Sequence, residues 1–184
     1  MSEQPLVPPF TRETAESNSN VAFKKTTLEK VKKAQALWNT KNPEKVVLAY
    51  TEDSIWRNRD LFLRGHDQIK EFLVKKWQKE KQYKLRKELF AFTDNKIAVQ
   101  FWYEYYDENK KAWFRCYGLE AWNSETKLLA LSGLPEDWTF ESDGRMRKRQ
   151  MSGNEIEIND DQRWYKGKSS DEEYDQVEIT EEHW

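Results

Sequence analysis

Hydrophobic residues between positions 28 and 38 recur at spacings of three and four, with charged residues between them. This period is typical of an amphipathic helix. Thr26 and Glu29 precede the run at the spacing of a capping box, so the helix is expected to begin near Thr26 and to end near Lys41. Asn42-Pro43-Glu44 then places an N-cap residue, a proline and an acid in succession, which predicts a second, short helix.

A third helix is predicted after Gly65, and beyond it the hydrophobic period changes. Apolar residues from Ile69 to Trp77 keep helical spacing, whereas after Gln82 apolar and polar residues alternate, which is the period of a strand. Strands are expected at residues 55–60, 83–93, 97–105, 112–118, 137–141 and 145–152, the last two joined by a hairpin at Asp143-Gly144. This order predicts an α+β fold in which three N-terminal helices pack on a curved antiparallel sheet.

The two ends of the chain differ in composition from its middle. Residues 1–24 hold three of the five prolines and show no hydrophobic period, so they are expected to form an N-terminal arm. Residues 169–184 contain seven acidic residues and no Lys or Arg, which favours a solvated acidic C-terminal tail. Val177, Ile179 and Trp184 supply apolar anchors for the alternative, in which this stretch lies along the body. The folded domain is therefore expected to span residues 25–168.

Composition and charge act mainly by excluding classes of protein. Thirty-one basic and 33 acidic residues give a net charge of −2, so no strong field attracts nucleic acid or an anionic membrane surface. Nine Trp, eight Tyr and nine Phe argue against a disordered chain. Cys116 is the single cysteine, which excludes an internal disulfide, and two histidines provide no metal-ligand spacing. Without a secretory hydrophobic region or a stretch of roughly 20 apolar residues, a cytoplasmic protein with no metal is expected.

Short motifs at the junctions of the predicted elements carry a family resemblance. They are Trp38-Asn39, Asn42-Pro43, Ala49-Tyr50-Thr51-Glu52-Asp53-Ser54, Gly65 and Ile69. With the order of elements, they resemble the nuclear transport factor 2-like superfamily, which includes ketosteroid isomerases, SnoaL-like cyclases, limonene epoxide hydrolases and scytalone dehydratases. The segments 56–60, 85–89 and 115–118 resemble an uncharacterised SnoaL-like subfamily within it, and the resemblance covers about residues 26–165. It implies a cone-shaped curved sheet, a pocket for a small hydrophobic molecule, no cofactor, and a homodimer formed through the sheet.

Residues 119–135 depart from the pattern of that subfamily. There, a Tyr-Gly pair such as Tyr117-Gly118 is followed almost at once by an acidic-x-Trp strand, which here resembles Glu136–Phe140. The intervening segment contains a near-copy of this strand, Glu120-Ala121-Trp122, so two segments compete for one position in the sheet. We expect the later segment to form the strand, because it leads directly into the predicted final hairpin. Residues 119–135 are then an insertion, either a genuine loop or the product of an alternative transcript.

The first predicted strand carries three candidate site residues. Period 2 places Trp56, Asn58 and Asp60 on one face and the two intervening arginines on the other. In the isomerase branch that the sequence resembles, a general base occupies the position of Asn58. An amide lacks the basicity for that role, so Asn58 and Trp56 are expected to bind a ligand, and Asp60 is the candidate catalytic acid or base. The alternative is an ordinary set of ion pairs on the sheet surface.

Later strands supply the remaining candidates. Arg86 and Glu88 share a face with two phenylalanines and are candidate catalytic residues if that face lines a cavity; a cross-strand ion pair that sets register is the alternative. Tyr103, Trp113 and Arg115 supply aromatic surface and a cation, which suits ligand binding. Such residues suit a packed α+β core equally well.

Three classes of function stay open from the sequence. The first is a cofactor-free SnoaL-like isomerase, hydratase or hydrolase that acts on a small hydrophobic molecule, with Asp60, Arg86 and Glu88 as catalytic residues. The second is a module that binds a ligand without turnover, and the third is a protein-interaction domain that uses the acidic tail. A buried carboxyl group with a raised pKa favours the first, a closed apolar pocket the second, and an exposed apolar patch the third.

Overall fold

Three helices lie in the first half of the chain, as the sequence predicts. The computed structural model describes residues 18–93, 96–123 and 145–183. Its first helices are α1 (Asn18–Asn39), α2 (Pro43–Val47) and α3 (Gly65–Lys79). The side chain of Asn42 caps α2 by accepting a hydrogen bond from the backbone N–H of Lys45 at 3.2 Å. Because α1 begins at Asn18, residues 18–24 of the predicted N-terminal arm are helical, and residues 1–17 of that arm lie outside the described residues. No helix among the described residues is long and apolar enough to cross a membrane.

The described strands form one curved sheet. They are β1 (Tyr50–Asn58), β2 (Leu61–Arg64), β3 (Glu80–Phe92), β4 (Lys96–Asp107), β5 (Ala112–Asn123) and β6 (Met146–Ile158). Their order across the sheet is β2-β1-β6-β5-β4-β3. All neighbouring strands are antiparallel except β1 and β6, which are parallel because β6 returns beside β1 in the same direction. The predicted α+β class, with helices on one curved sheet, is confirmed, but the sheet is mixed where an antiparallel one was expected.

A tight turn separates β1 from β2. β1 ends at Asn58, and Arg59 adopts a positive φ of 57° before the chain returns as β2. A positive φ is typical of two-residue hairpin turns, because their twist matches that of the flanking strands. Asp60 therefore lies in the turn and is exposed, whereas the sequence predicted it as the last residue of the strand.

The segment that follows Gly118 belongs to the sheet as far as Asn123. β5 continues through Glu120-Ala121-Trp122 and pairs with β6, where Glu120 lies opposite Met151. The near-copy thus occupies the strand position, and the expectation that the chain leaves the sheet at residue 119 is wrong for residues 119–123. The strand predicted at 137–141 and the hairpin turn at 143–144 lie outside the described residues.

Alternation along the strands separates an inner face, which lies under the helices, from an outer face. The inner face and the helices share a buried core that is rich in aromatic rings, including Trp38, Trp56, Tyr83, Phe101 and Tyr103. Trp38 of α1 stacks on Trp56 of β1 with ring centroids 5.8 Å apart. A second cluster between α1, β4 and β5 closes one end of this core. Burial of these large apolar surfaces is the main stabilising contribution to the fold.

The acidic C-terminal segment packs on the outer face. It covers residues 159–183 and includes a short helix, α4 (Asp171–Asp175). The Arg86 guanidinium donates to the carbonyl oxygen of Val177 at 2.5 Å and to that of Tyr174 at 3.4 Å. The ring of Tyr174 is itself buried. Basic side chains of the sheet therefore hold the segment against the body, and a solvated tail does not describe it.

Candidate functional site

A tract of polar and aromatic side chains runs along the inner face between the sheet and the helices, and we call it the inner tract. Its apolar walls are Tyr83, Leu85, Phe101 and Met151. The free volume inside is about 10 Å³, about the room that one water molecule needs. The inner tract has a closed end, where charged side chains are fully buried, and a mouth, where Arg59 and Glu155 reach solvent.

Three charged side chains from three strands meet at the closed end. Lys87 of β3, Glu120 of β5 and Arg149 of β6 are 2%, 2% and 3% exposed. One carboxylate oxygen of Glu120 accepts a hydrogen bond from Lys87 Nζ, and the other accepts from Arg149 Nε at 2.8 Å and Nη2 at 2.6 Å. Arg149 Nη1 also donates to Asn58 Oδ1 at 3.2 Å. We call these four residues the closed-end cluster.

Indole rings surround the cations of the closed-end cluster. Lys87 Nζ lies 5.3 Å from the ring centroid of Trp38 and 5.0 Å from that of Trp122. Arg149 Cζ lies 4.8 Å from the centroids of both Trp38 and Trp56. The negative faces of these rings attract the cations, and the attraction is strongest where water is excluded. The rings therefore replace part of the hydration that burial removes.

The mouth is a second polar group that reaches solvent. Arg59 and Glu155 form an ion pair at 2.7 Å, with side chains 32% and 24% exposed. Tyr103 donates its hydroxyl hydrogen to Glu155 Oε1 at 3.2 Å. Lys76 of α3 pairs with Glu80 at 2.5 Å, and its Nζ lies 4.4 Å from the ring centroid of Tyr103. The inner tract thus opens beside Arg59 and Glu155, with the Lys76 ammonium group over the ring of Tyr103. These five residues are the mouth.

The two ends hold ionisable groups whose pKa values shift in opposite directions. Burial raises the pKa of Glu80, against the opposing effect of Lys76. Burial lowers the pKa of Lys87 to about 8, although Glu120 partly offsets it. Burial alone would raise the pKa of Glu120, but Arg149 and Lys87 outweigh it and hold that pKa below its ordinary value. The inner tract thus contains a carboxyl group and an amine that both move toward neutral pH, as groups in acid–base sites do.

The single cysteine and the metal-binding side chains add no further chemistry to the described inner tract. Cys116 is buried near the mouth, and burial raises the pKa of its thiol to about 11, so it is protonated at neutral pH and a poor nucleophile. In the described ranges, no group of three His, Cys, Asp or Glu side chains is placed to hold a metal ion.

Three of the residues predicted for the site border the inner tract. Trp56 is fully buried beside Arg149, Asn58 belongs to the closed-end cluster, and Tyr103 belongs to the mouth. Asp60 is not brought to them, because the turn that ends β1 directs the chain into solvent before Asp60 is reached.

The other four predicted residues lie on the outer face. Arg86 and Glu88 pair with each other beside the C-terminal segment. Arg115 is buried there and contacts a glutamate of β4 at 2.6 Å. Trp113 lies under the guanidinium of Arg163, whose Cζ is 3.4 Å from its ring centroid. Successive residues of a strand point to opposite faces, so the inner position of β3 is the one between Arg86 and Glu88.

The charged members of the closed-end cluster belong to no sequence motif. Lys87 ends a basic run, and Glu120 lies in the segment expected to be an insertion. The signal that identifies them is the strand period. Lys87 continues the alternating row of Tyr83 and Leu85, and Arg149 stands two residues from Met151. A charged residue in an otherwise buried row is an exception that marks a paired, buried site.

A larger cavity lies on the outer face, and we call it the outer groove. Its volume is about 340 Å³, and Trp102, Tyr117, Leu119, Asn154 and His183 are among its lining residues. Among the described residues that line it, none is Lys, Arg, Asp or Glu. The outer groove therefore offers aromatic surface, hydrogen bonds and the imidazole of His183, whereas the buried carboxyl and amine groups lie in the inner tract and its mouth.

Comparison with known proteins identifies sequence relatives only at the level of a family. The model of the family described as "Protein of unknown function (DUF1348)" matches residues 8–132 and 129–166. No curated protein matches the sequence.

Comparison with solved structures shows the fold. A putative scytalone dehydratase from Novosphingobium aromaticivorans is 8% identical with a TM-score of 0.54, over 78% of this chain and 93% of that chain. A hexachlorocyclohexane dehydrochlorinase (LinA, type 2) is 9% identical with a TM-score of 0.56, over 78% of this chain and 95% of that chain. An NTF2-like protein of unknown function from Burkholderia pseudomallei is 15% identical with a TM-score of 0.54, over 70% of this chain and 90% of that chain. The fold is that of the nuclear transport factor 2-like superfamily.

Proposed function

The chain belongs to the DUF1348 family of proteins of unknown function, and from this premise we propose that it is a cofactor-free enzyme acting on a small hydrophobic molecule in the inner tract. The reaction class is isomerisation, hydration or hydrolysis, in which protein side chains move a proton to and from the substrate. Proteins of similar fold that are named as a dehydratase and a dehydrochlorinase support a reaction of this kind.

The observation that carries the proposal is that Lys87 lines the inner tract and Glu80 pairs with Lys76 at its mouth, both with pKa values displaced toward neutrality. Proton transfer is most efficient when the pKa of the donor or acceptor lies near the working pH. Environments that displace two groups in opposite directions are typical of an acid–base pair. A buried carboxyl group with a raised pKa favours an enzyme over a binding module, and Glu80 is such a group.

Each end of the inner tract has its own role in this proposal. Glu80 exchanges a proton with the substrate at the mouth, where it also has access to solvent protons through the Arg59–Glu155 pair. Lys87 is the second proton carrier, at the closed end. Asn58 and Tyr103 orient the substrate by hydrogen bonds, and Trp56 supplies apolar contact surface.

Substrate admission requires the mouth to rearrange. The free volume of about 10 Å³ is far below the roughly 300–1,000 Å³ of small-molecule pockets. Lys76 is the group best placed to move, because a flexible stem carries its ammonium group over the rings of Tyr83 and Tyr103, and its ion-pair partner among the described residues is Glu80. Rotation of Lys76 into solvent lengthens the inner tract without disturbing the strands.

Turnover of a metabolite extract tests this proposal. Wild-type protein, Glu80→Gln and Lys87→Met are incubated with the extract, and mass spectrometry records which metabolites are consumed. Both variants are expected to lose the consumption that wild type shows. Glu88→Gln is the matched control, since it changes a glutamate of the outer face. Loss in Glu88→Gln with none in Glu80→Gln contradicts the proposal and moves the site to the outer face.

Assembly and location complete the proposal. We propose a cytoplasmic homodimer that forms through the part of the outer face left open by the C-terminal segment. Leu119 of β5 and Ile156 of β6 support it, because 50% and 47% of these apolar side chains are exposed there. The free thiol of Cys116 suits a reducing compartment such as the cytoplasm.

A further inference from the structure

Hydrogen-bond donors exceed acceptors around the closed-end cluster. Both carboxylate oxygens of Glu120 are already used by Lys87 and Arg149. In the part of the chain that the structure describes, the indole N–H groups of Trp56 and Trp122 and the hydroxyl group of Tyr50 are buried without a hydrogen-bond partner. The cations lie over the faces of the two indole rings, with Arg149 Cζ 4.8 Å from the ring centroid of Trp56 and Lys87 Nζ 5.0 Å from that of Trp122. The donors available between the cations are therefore their own: Lys87 carries three N–H groups and Arg149 five. The acceptors that they contact are the two oxygens of Glu120 and Asn58 Oδ1, so a further group that brings acceptor atoms completes the site.

The charges of the closed-end cluster are also unbalanced. Its described side chains supply two cations, Lys87 and Arg149, against the single carboxylate of Glu120. The carboxylates of the mouth are already paired with the cations of the mouth. A buried excess of positive charge is unfavourable in a medium of low dielectric constant, and one more anion neutralises it.

We propose that the closed-end cluster binds the carboxylate of a small hydrophobic acid between Lys87 and Arg149. This inference rests on the proposed function and deepens it by naming the class of substrate. A carboxylate brings one negative charge and about four lone-pair positions, so it neutralises the charge excess and accepts hydrogen bonds from both cations. The apolar part of the acid extends along Phe101 and Met151 toward the mouth.

Two simpler occupants satisfy only part of these requirements. A water molecule fits the free volume of about 10 Å³, but it brings no charge. A neutral amide of the same shape as the acid brings an acceptor atom, yet it leaves the two cations facing a single carboxylate. Charge on the ligand is therefore the property that an experiment has to vary.

Binding of an acid has a proton signature. The titratable groups facing Lys87 are Glu120 on β5 and Arg149 on β6. Two tyrosines, Tyr50 and Tyr83, interact electrostatically with Glu120 and Arg149. Glu120 and Arg149 stay charged, and burial raises the pKa of both tyrosines, so Lys87 is the group that titrates near pH 8. A neighbouring carboxylate raises the pKa of Lys87, so the protein takes up a proton when the acid binds at that pH.

Calorimetric titration with benzoate and its neutral isostere benzamide tests the proposal. Wild type is expected to bind benzoate about tenfold or more tightly than benzamide, which is the worth of one charged hydrogen bond. Lys87→Met is expected to weaken benzoate binding by a similar factor and to abolish proton uptake, measured in two buffers of different ionisation enthalpy at pH 8. In Lys87→Met, Glu120 and Arg149 still form an ion pair whose net charge is zero. Circular dichroism verifies that the variant is folded. Lys84→Met, which changes a lysine that bonds the C-terminal segment, is the matched control and keeps wild-type affinity.

A second variant addresses admission through the mouth. The double variant Lys76→Ala/Glu80→Gln removes the lysine stem without leaving a buried unpaired carboxylate, and it is expected to bind benzoate at least as tightly as wild type. Absence of benzoate binding in both proteins overturns the proposal. Equal affinity for benzoate and benzamide, or wild-type affinity in Lys87→Met, also overturns it. Turnover that depends on Glu80 but uses only neutral molecules overturns this inference while leaving the proposed function intact.

Discussion

Glu120 is the residue on which the closed-end cluster depends, because it is the carboxylate that both buried cations contact. Glu120→Gln leaves Lys87 and Arg149 facing a neutral amide, and it is expected to lower the free energy of unfolding by about 3–5 kcal/mol. Glu88→Gln removes a partly exposed ion pair and is expected to cost about 0–1 kcal/mol. Urea unfolding followed by tryptophan fluorescence compares the two variants. Equal losses contradict the assignment of Glu120 to a buried cluster.

Lys87 makes stability depend on pH in a direction that a surface lysine does not produce. Its pKa is about 8 in the folded protein against an ordinary value of 10.5. Between these values the unfolded chain binds more protons than the folded protein, so the free energy of unfolding rises with pH. Urea titrations of wild type and Lys87→Met at several pH values in that window are expected to diverge in favour of wild type as pH rises. A difference that does not change with pH contradicts a desolvated amine.

Residues of the inner tract were predictable where they lie on a strand whose face the hydrophobic pattern fixes. Trp56 and Asn58 share the buried face of β1, and Tyr103 continues an aromatic row of β4. Lys87 was not predictable from the alternation of apolar and polar residues along β3. It lies on the buried face of that strand, where the pattern predicts an apolar residue. The position of Asp60 was predicted wrongly, because Arg59 adopts a positive φ and β1 ends at Asn58, before Asp60 is reached.

The C-terminal segment depends on Arg86 for its attachment to the outer face. Arg86→Ala removes hydrogen bonds to the carbonyl oxygens of Val177 and Tyr174. The expected loss is about 1–3 kcal/mol, concentrated in local opening of the segment, because the strands beneath it do not need the segment for their own pairing. Hydrogen–deuterium exchange is expected to show faster exchange in residues 171–183 and unchanged exchange in β4. Uniformly faster exchange would instead assign Arg86 to the core.

Elements defined by local signals were predictable, and those that depend on distant pairing were not. The Asn42 cap and the helical spacing after Gly65 place α2 and α3 correctly. The parallel pairing of β1 with β6 joins segments about 90 residues apart, and no local signal encodes it. β5 continues through Glu120 because the ion pairs of the closed-end cluster compensate a charge that the strand pattern excludes.

The homodimer is the prediction that belongs to the whole molecule. Leu119→Lys places a charge in the open part of the outer face and is expected to shift the protein from dimer to monomer, because an apolar interface does not tolerate an unpaired charge. Light scattering after size-exclusion chromatography measures the mass. Phe62→Lys is the control, since Phe62 is 76% exposed on the edge strand β2. A monomeric wild type, or a dimer that persists in Leu119→Lys, contradicts this interface.

The central claim is that the function of the molecule resides in the inner tract and not in the larger outer groove. The most direct test is a crystal structure of the wild-type protein with the metabolite that it consumes or, failing turnover, with benzoate. The account predicts ligand density between Lys87 and Arg149, with the Lys76 stem rotated away from the ring of Tyr103. Density confined to the outer groove, against Trp102 and His183, with the inner tract unchanged, would contradict it.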